Sequence, residues 1–128
     1  MAAVKPFGNK TTERAMGRLL WHDGIRGYRK HWPVAGKPDF AWPGLRVALF
    51  VDGCFWHGCP RCKRTPTSNT AFWDARIGGN RARDARVSRA LRRDGWLVLR
   101  VWECALRQER TVEKIRSAIS ERRAAMIA

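Results

Sequence analysis

Three features of the sequence predict an α/β domain in which helices flank a mixed β-sheet. Residues 45–51 (LRVALFV) form an apolar, β-branched run of strand length, and residues 96–102 (WLVLRVW) form a second. Between them, residues 71–93 carry Phe72, Trp73, Ile77, Val87, Ala90 and Leu91 at helical spacing. A helix that joins two strands favours a parallel crossover. At 128 residues the chain is read as one domain over 1–128.

The other elements follow in order. Residues 1–10 hold Pro6, Gly8 and two lysines and are expected to be a flexible arm. Thr11 or Thr12 is placed to cap a first helix, whose buried stripe is Met16, Leu19 and Leu20 and which Gly24 and Gly27 stop. Residues 28–32 read as a short strand ended by Pro33. Residues 40–42 read as another, turned by Pro43-Gly44 into the stronger strand at 45–51, which makes an antiparallel hairpin. The stretch 60–69 is basic and loop-like. Gly78-Gly79 is expected to break or kink the long helix. Gly95 leads into the strand at 96–102, and residues 109–127 form a last helix with Val112, Ile115, Ile119 and Met126 on one side.

Composition narrows the function. A formal net charge of +15 predicts a polyanionic partner, with nucleic acid first. No apolar run approaches membrane-spanning length, and the first residues lack a signal-peptide core, so a cytoplasmic protein is expected. Four cysteines in a reducing compartment favour ligands over disulfides. Cys54, Cys59 and Cys62 lie close in sequence, with C-x2-C spacing at the last two. Cys104 follows the final strand. Zinc favours four such ligands in a tetrahedron, so a structural Zn2+ site is expected; the alternative reading makes Cys54 and Cys104 small buried hydrophobes.

The acids come next. Asp39 follows Lys37-Pro38 and precedes a strand, and Asp52 ends the central one. Mg2+ takes hard oxygens and keeps several waters, so one or two carboxylates with phosphate oxygens suffice to hold it. Glu13 has an alternative reading as a favourable first-turn acid, and Asp84, set among arginines, as a weak helix ion pair. Of three histidines, His57 is the one placed beside this chemistry; His22 and His31 are read as surface residues. Asp39 with His57 suggests metal-assisted phosphodiester hydrolysis, the His accepting a proton from the attacking water.

The segments GKPDF, VDGCFWHGCPRC, TAFWDARIGGNRARD and GWLVLRVWEC, in this order, closely resemble the very-short-patch-repair (Vsr) mismatch endonucleases. The resemblance covers roughly residues 12–106, and CFWH after a strand and WEC near the end are its most specific motifs. It implies a restriction-endonuclease-like fold, a structural zinc, and Mg2+-dependent nicking of one strand of double-stranded DNA beside a T·G mismatch. It also implies a bacterial, nucleoid-associated enzyme, and a monomer is expected. Carried over by position, Asp39 becomes the metal-binding acid and His57 the catalytic His. Asp84 supports a metal-bound water or phosphate, and Glu13 is an auxiliary acid. Phe55, Trp56 and Trp73 match aromatics that wedge into DNA; the alternative for Trp56 and Trp73 is a place in the core, the usual fate of Trp at strand and helix starts. Cys54, Cys59, Cys62 and Cys104 match the zinc positions. Where the family pattern has Thr-His before Gly-Cys, this chain has Val51-Asp52. The Val51 backbone carbonyl can replace that of the Thr toward Mg2+, and Asp52 can enter the metal shell itself. A restriction or defence nuclease acting on matched or modified DNA, or a zinc-stapled DNA-binding module without activity, are the competing readings.

Overall fold

The computed structural model describes residues 10–53 and 70–127. The first helix, α1, spans Lys10–His22 and buries Met16 and Leu20 completely. It begins before both threonines, so neither Thr11 nor Thr12 is its cap; Thr12 is buried, and its hydroxyl instead donates to Glu103 at 3.3 Å. A Schellman motif ends the helix. The Ile25 amide reaches back to Leu20 O at 2.9 Å and the Gly24 amide to Trp21 O at 3.1 Å, with Gly24 at φ 75°. Ile25 then packs beside Leu20 in the core.

The segment expected as a strand at 28–32 makes a single bridge, Arg29 to Ala41, with hydrogen bonds of 2.7 and 2.8 Å. It goes no further because His31 adopts φ 52° and Pro33 has no amide hydrogen to offer. Strands β1 (Phe40–Trp42) and β2 (Val47–Asp52) form the expected antiparallel hairpin, Phe40 opposite Leu49 and Trp42 opposite Val47. Leu45 and Arg46 belong to the turn rather than to the strand, Arg46 at φ 53°.

Helix α2 (Thr70–Arg93) crosses to β3 (Leu97–Trp102), which pairs parallel to β2 from Val47–Leu97 through Asp52–Trp102. The sheet order is β1-β2-β3, with β2 in the middle. Gly78 and Gly79 leave α2 unbroken. A glycine costs a helix about 1 kcal/mol against alanine. The buried Ile77, Ser88 and Leu91 lie on one side of the helix, so packing on both sides of the glycine pair offsets that cost. A second Schellman motif ends α2, the Trp96 amide meeting Leu91 O at 2.9 Å and the Gly95 amide meeting Arg92 O at 3.0 Å. A 3-10 turn (Glu103–Arg107) then leads into α3 (Glu109–Ile127).

Alternation along β2 assigns its two faces. Val47 and Leu49 join Met16, Leu20, Val101, Ile115 and Ile119 on the side of α1 and α3. Ala48 and Phe50 join Leu91 and Val98 on the side of α2. The sheet is thus a middle layer, which explains why β2 is a near-continuous apolar run rather than an alternating one. It also fixes the end of the strand: Val51 lies on the α1/α3 side and Asp52 on the α2 side. Among the described residues no helix is long and apolar enough to cross a membrane.

Candidate active site

Asp39 sits immediately before β1, with its side chain buried, behind the fully buried Pro38. The hairpin carries it back against the end of β2, where its Oδ2 accepts the Val51 amide hydrogen at 2.7 Å. Burial pushes its carboxyl up to about 6, opposed by the Val51 hydrogen bond and assisted by the charges of Glu13 and Asp52. Glu13, also buried, projects from α1 toward the same point. Its Oε1 lies 2.6 Å from His31 Nε2. One ligand atom each from Glu13, His31 and Asp39 fall within 4.8 Å of one another.

Asp52 is the last residue of β2 and points to the other face. Its Oδ1 accepts from Arg100 Nη1 at 2.9 Å. The neighbouring strand brings Arg100 there, since Arg100 is in register with Phe50, and the guanidinium lies 4.1 Å over the Phe50 ring. Nε donates to Ser88 at 3.0 Å and Nη2 to the Asp84 carbonyl at 3.3 Å, while the Asp84 carboxylate stands 3.8 Å from Nη1. Arg100 therefore ties β2, β3 and α2 together at one point. Asp84 thus reaches across from α2 to a side chain of the sheet.

Between Asp39 and Arg100 lies a cavity of about 270 Å³ at the carboxyl end of β2. Asp39, Val51, Asp52, Asp84 and Arg100 line it, with Lys37 and Arg83 also in its wall. Acids inside, with cations beside them, suit an anionic substrate that arrives with a divalent cation. Outside the cavity, α2 exposes Arg81, Arg86, Arg89, Arg92 and Arg93 to solvent.

Of the residues singled out in the sequence, Asp39, Val51, Asp52 and Asp84 line one cavity, and Glu13 meets Asp39 from the α1 side of the sheet. Cys104 lies half-buried in the 3-10 turn just past β3. Trp73 is in the first turns of α2. Cys54, Phe55, Trp56, His57, Cys59 and Cys62 lie outside the described residues. Two residues had been passed over. His31 is exposed, as a surface residue would be, yet it is paired with Glu13. No spacing in the sequence marks it. Arg100 did carry a signal, as a lone charge in an apolar strand must find a partner to be buried.

Comparison with known proteins adds a separate line of support. Residues 1–64 match the family described as DNA mismatch endonuclease Vsr. The chain is 36% identical over 126 residues to the type II nicking enzyme V.NmeDIP of Neisseria meningitidis serogroup C, covering 95% of this chain and 84% of that one. It is 41% identical over 109 residues to the type II nicking enzyme V.NaeI of Lentzea aerocolonigenes, covering 80% of this chain. It is 40% identical over 97 residues to the DNA mismatch endonuclease Vsr of Escherichia coli (strain K12), covering 74% of this chain. The matched stretch spans 64% of the length of V.NaeI and 62% of that of the Escherichia coli protein.

Proposed function

The chain belongs to the Vsr family of DNA mismatch endonucleases, and from that premise we propose that it nicks one strand of double-stranded DNA at T·G mismatches, in very short patch repair, with Mg2+ held at Asp39. The observation that carries the reading is the placement of Asp39: a buried carboxylate, fixed to β2 by the Val51 amide at 2.7 Å, with Glu13 and Asp52 close enough to raise its pKa. Converging buried acids repel one another, and a dication relieves them. The donor set, hard oxygens beside a cavity that also has cationic walls, fits Mg2+. Asp39 and Glu13 would hold the ion, with the Val51 carbonyl and Asp52 as further oxygen donors. When bound, it supplies positive charge that polarises the scissile phosphate and stabilises the leaving oxygen.

The chain's own groups do the remaining work. His57 takes the proton of the attacking water. Lys37 and Arg83 draw the phosphate to the cavity, and Asp84, held beside Arg100, orients water or phosphate at its wall. Phe55, Trp56 and Trp73 wedge into the DNA beside the mispair. A T·G step is less well stacked than a matched one, so exchanging base–base for base–aromatic stacking, worth about 1–3 kcal/mol per base, favours the mispair. Cys54, Cys59, Cys62 and Cys104 hold one structural Zn2+ that staples the CFWH segment beside the last strand. The arginines of α2 supply general affinity through phosphate contacts.

A second reading rests on its own observation. Two of the relatives above are named type II nicking enzymes, and Asp52 stands where the family pattern has His. It keeps the nicking chemistry and directs it to matched or modified DNA. End-labelled duplexes differing only at one base pair separate the two. Preference for T·G by at least about tenfold, or roughly 1.4 kcal/mol, supports mismatch recognition. Equal nicking of the matched duplex supports the second reading instead.

A further inference from the structure

We propose that His31 completes a divalent-metal site with Glu13 and Asp39, and that its ring nitrogen makes this site prefer a first-row transition ion of the Mn2+ class over Mg2+. The proposal rests on the metal assignment above and deepens it, sharing Asp39 and Glu13 with it.

Three observations support it. The first is distance. His31 Nε2 and Glu13 Oε1 are 2.6 Å apart, and one donor atom from each of the three residues lies within 4.8 Å of the others. Cis ligands on an ion with bonds of about 2.1 Å stand roughly 3 Å apart, and opposed ones about 4 Å, so small side-chain rotations bring all three onto one centre.

The second is how His31 is held. Its backbone adopts φ 52°, uncommon for a residue with a side chain, and its amide donates to Pro38 O at 3.1 Å. Pro38 is the residue before Asp39, so the same loop fixes both donors relative to each other. Arg29, two residues earlier, is pinned to β1 by its bridge to Ala41.

The third is electrostatic. Glu13 and Asp39 are 7% and 8% exposed, and each charge disfavours the other in that setting. The cation that answers Asp52 is Arg100, on the far face of the sheet from Glu13. On the Glu13 side the His31 ring stands against the carboxylate, with Arg14, Arg18 and Lys30 farther along the same pocket, and the ring is open to solvent and so gives an ion a path in. Imidazole nitrogen favours first-row transition ions over Mg2+; Mn2+, which also accepts carboxylate oxygens as Mg2+ does, is the member of that row that serves as the probe here.

The test uses the full chain without DNA. Mn2+ is added to the metal-chelated protein, and its binding is followed by electron paramagnetic resonance, with pulsed detection of 14N coupling to the bound ion. The parent is expected to show 14N coupling. His31→Gln should lose it and bind Mn2+ about tenfold more weakly, with Mg2+ affinity changing less than about threefold. His57→Gln, the control for the other candidate nitrogen, should keep the coupling. Glu13→Gln should weaken Mn2+ binding while retaining some coupling, which tests the site without altering His31. Absence of coupling in the parent, or its survival in His31→Gln, would overturn the assignment and leave His31 as a hydrogen-bond partner of Glu13. Because no DNA is present, a protein that binds Mn2+ through His31 yet nicks nothing would refute the nicking function and not this site.

Discussion

Replacing Asp39 by Asn should stabilise the metal-free protein at neutral pH while ending its activity. The two side chains have the same shape, and the Asn oxygen can still accept the Val51 amide hydrogen that Asp39 Oδ2 now accepts at 2.7 Å. What changes is charge. Burial raises the Asp39 carboxyl from 3.8 to about 6. Each pKa unit is worth about 1.4 kcal/mol, so the ionised side chain costs the fold about 3 kcal/mol. The sign follows from proton binding. Between these two values the folded protein holds the Asp39 proton more tightly than the unfolded chain does. Stability therefore falls as pH rises through that window, and the full cost is present above it. Urea denaturation of parent and variant, run with a chelator across about pH 4 to 8, reads the difference directly. Asp39→Asn should gain up to about 3 kcal/mol at neutral pH and lose the advantage near pH 4. A variant less stable than the parent at neutral pH, or a difference flat with pH, would refute this account of the buried acids. The same titration should appear in function: nicking at limiting divalent ion should decline as pH drops below about 6, where Asp39 is protonated.

Other perturbations test the surroundings. Arg100→Met removes an ion-pair partner of the buried Asp52 and should cost about 3 kcal/mol, the low end for a broken buried pair because the Arg100 side chain is 22% exposed. Calorimetry should show Asp52→Asn recovering most of that loss when added to Arg100→Met, and no recovery would dissociate the pair. Gly36→Ala should destabilise by about 1–3 kcal/mol and weaken DNA cleavage, because a Cβ at φ 74° would stand 2.4 Å from Val87 Cγ1 and 3.3 Å from Phe50 Cε1 at the cavity wall. Gly78→Ala, in open space on α2, should instead stabilise by up to about 1 kcal/mol in urea.

Much of the fold was legible because local patterns and tertiary packing agree. The last helix was read at 109–127, the bounds it has, and the hairpin and the parallel crossover followed from a short Pro-Gly turn and an intervening helix. Where packing overrode local preference, the reading failed. Gly78-Gly79 looked like a break, but one continuous helix face is buried on either side of it. Thr12 looked like a cap, but its hydroxyl reaches Glu103, 91 residues away. The strand at 28–32 needed an extended His31, and that residue turns left-handed instead. In the site, Asp39 was legible through its Pro and the strand that follows. His31 was not, because its proximity to Glu13 depends on how the loop before Asp39 folds back on α1. The grip of Arg100 on Asp52 depends in the same way on a strand register that sequence spacing does not encode.

Cleavage of one DNA strand with a divalent ion at Asp39 can be read from a T·G duplex carrying a different label on each strand. Parent protein and Asp39→Ala are each incubated with Mg2+ and with chelator, and duplex binding is measured in parallel. The parent should cleave one labelled strand with Mg2+ and neither with chelator. Asp39→Ala should cleave neither strand, and its duplex affinity should stay within about threefold of the parent because phosphate contacts carry the binding. Cleavage of both strands, cleavage that survives Asp39→Ala, or loss of binding in step with loss of cleavage would contradict this role of Asp39.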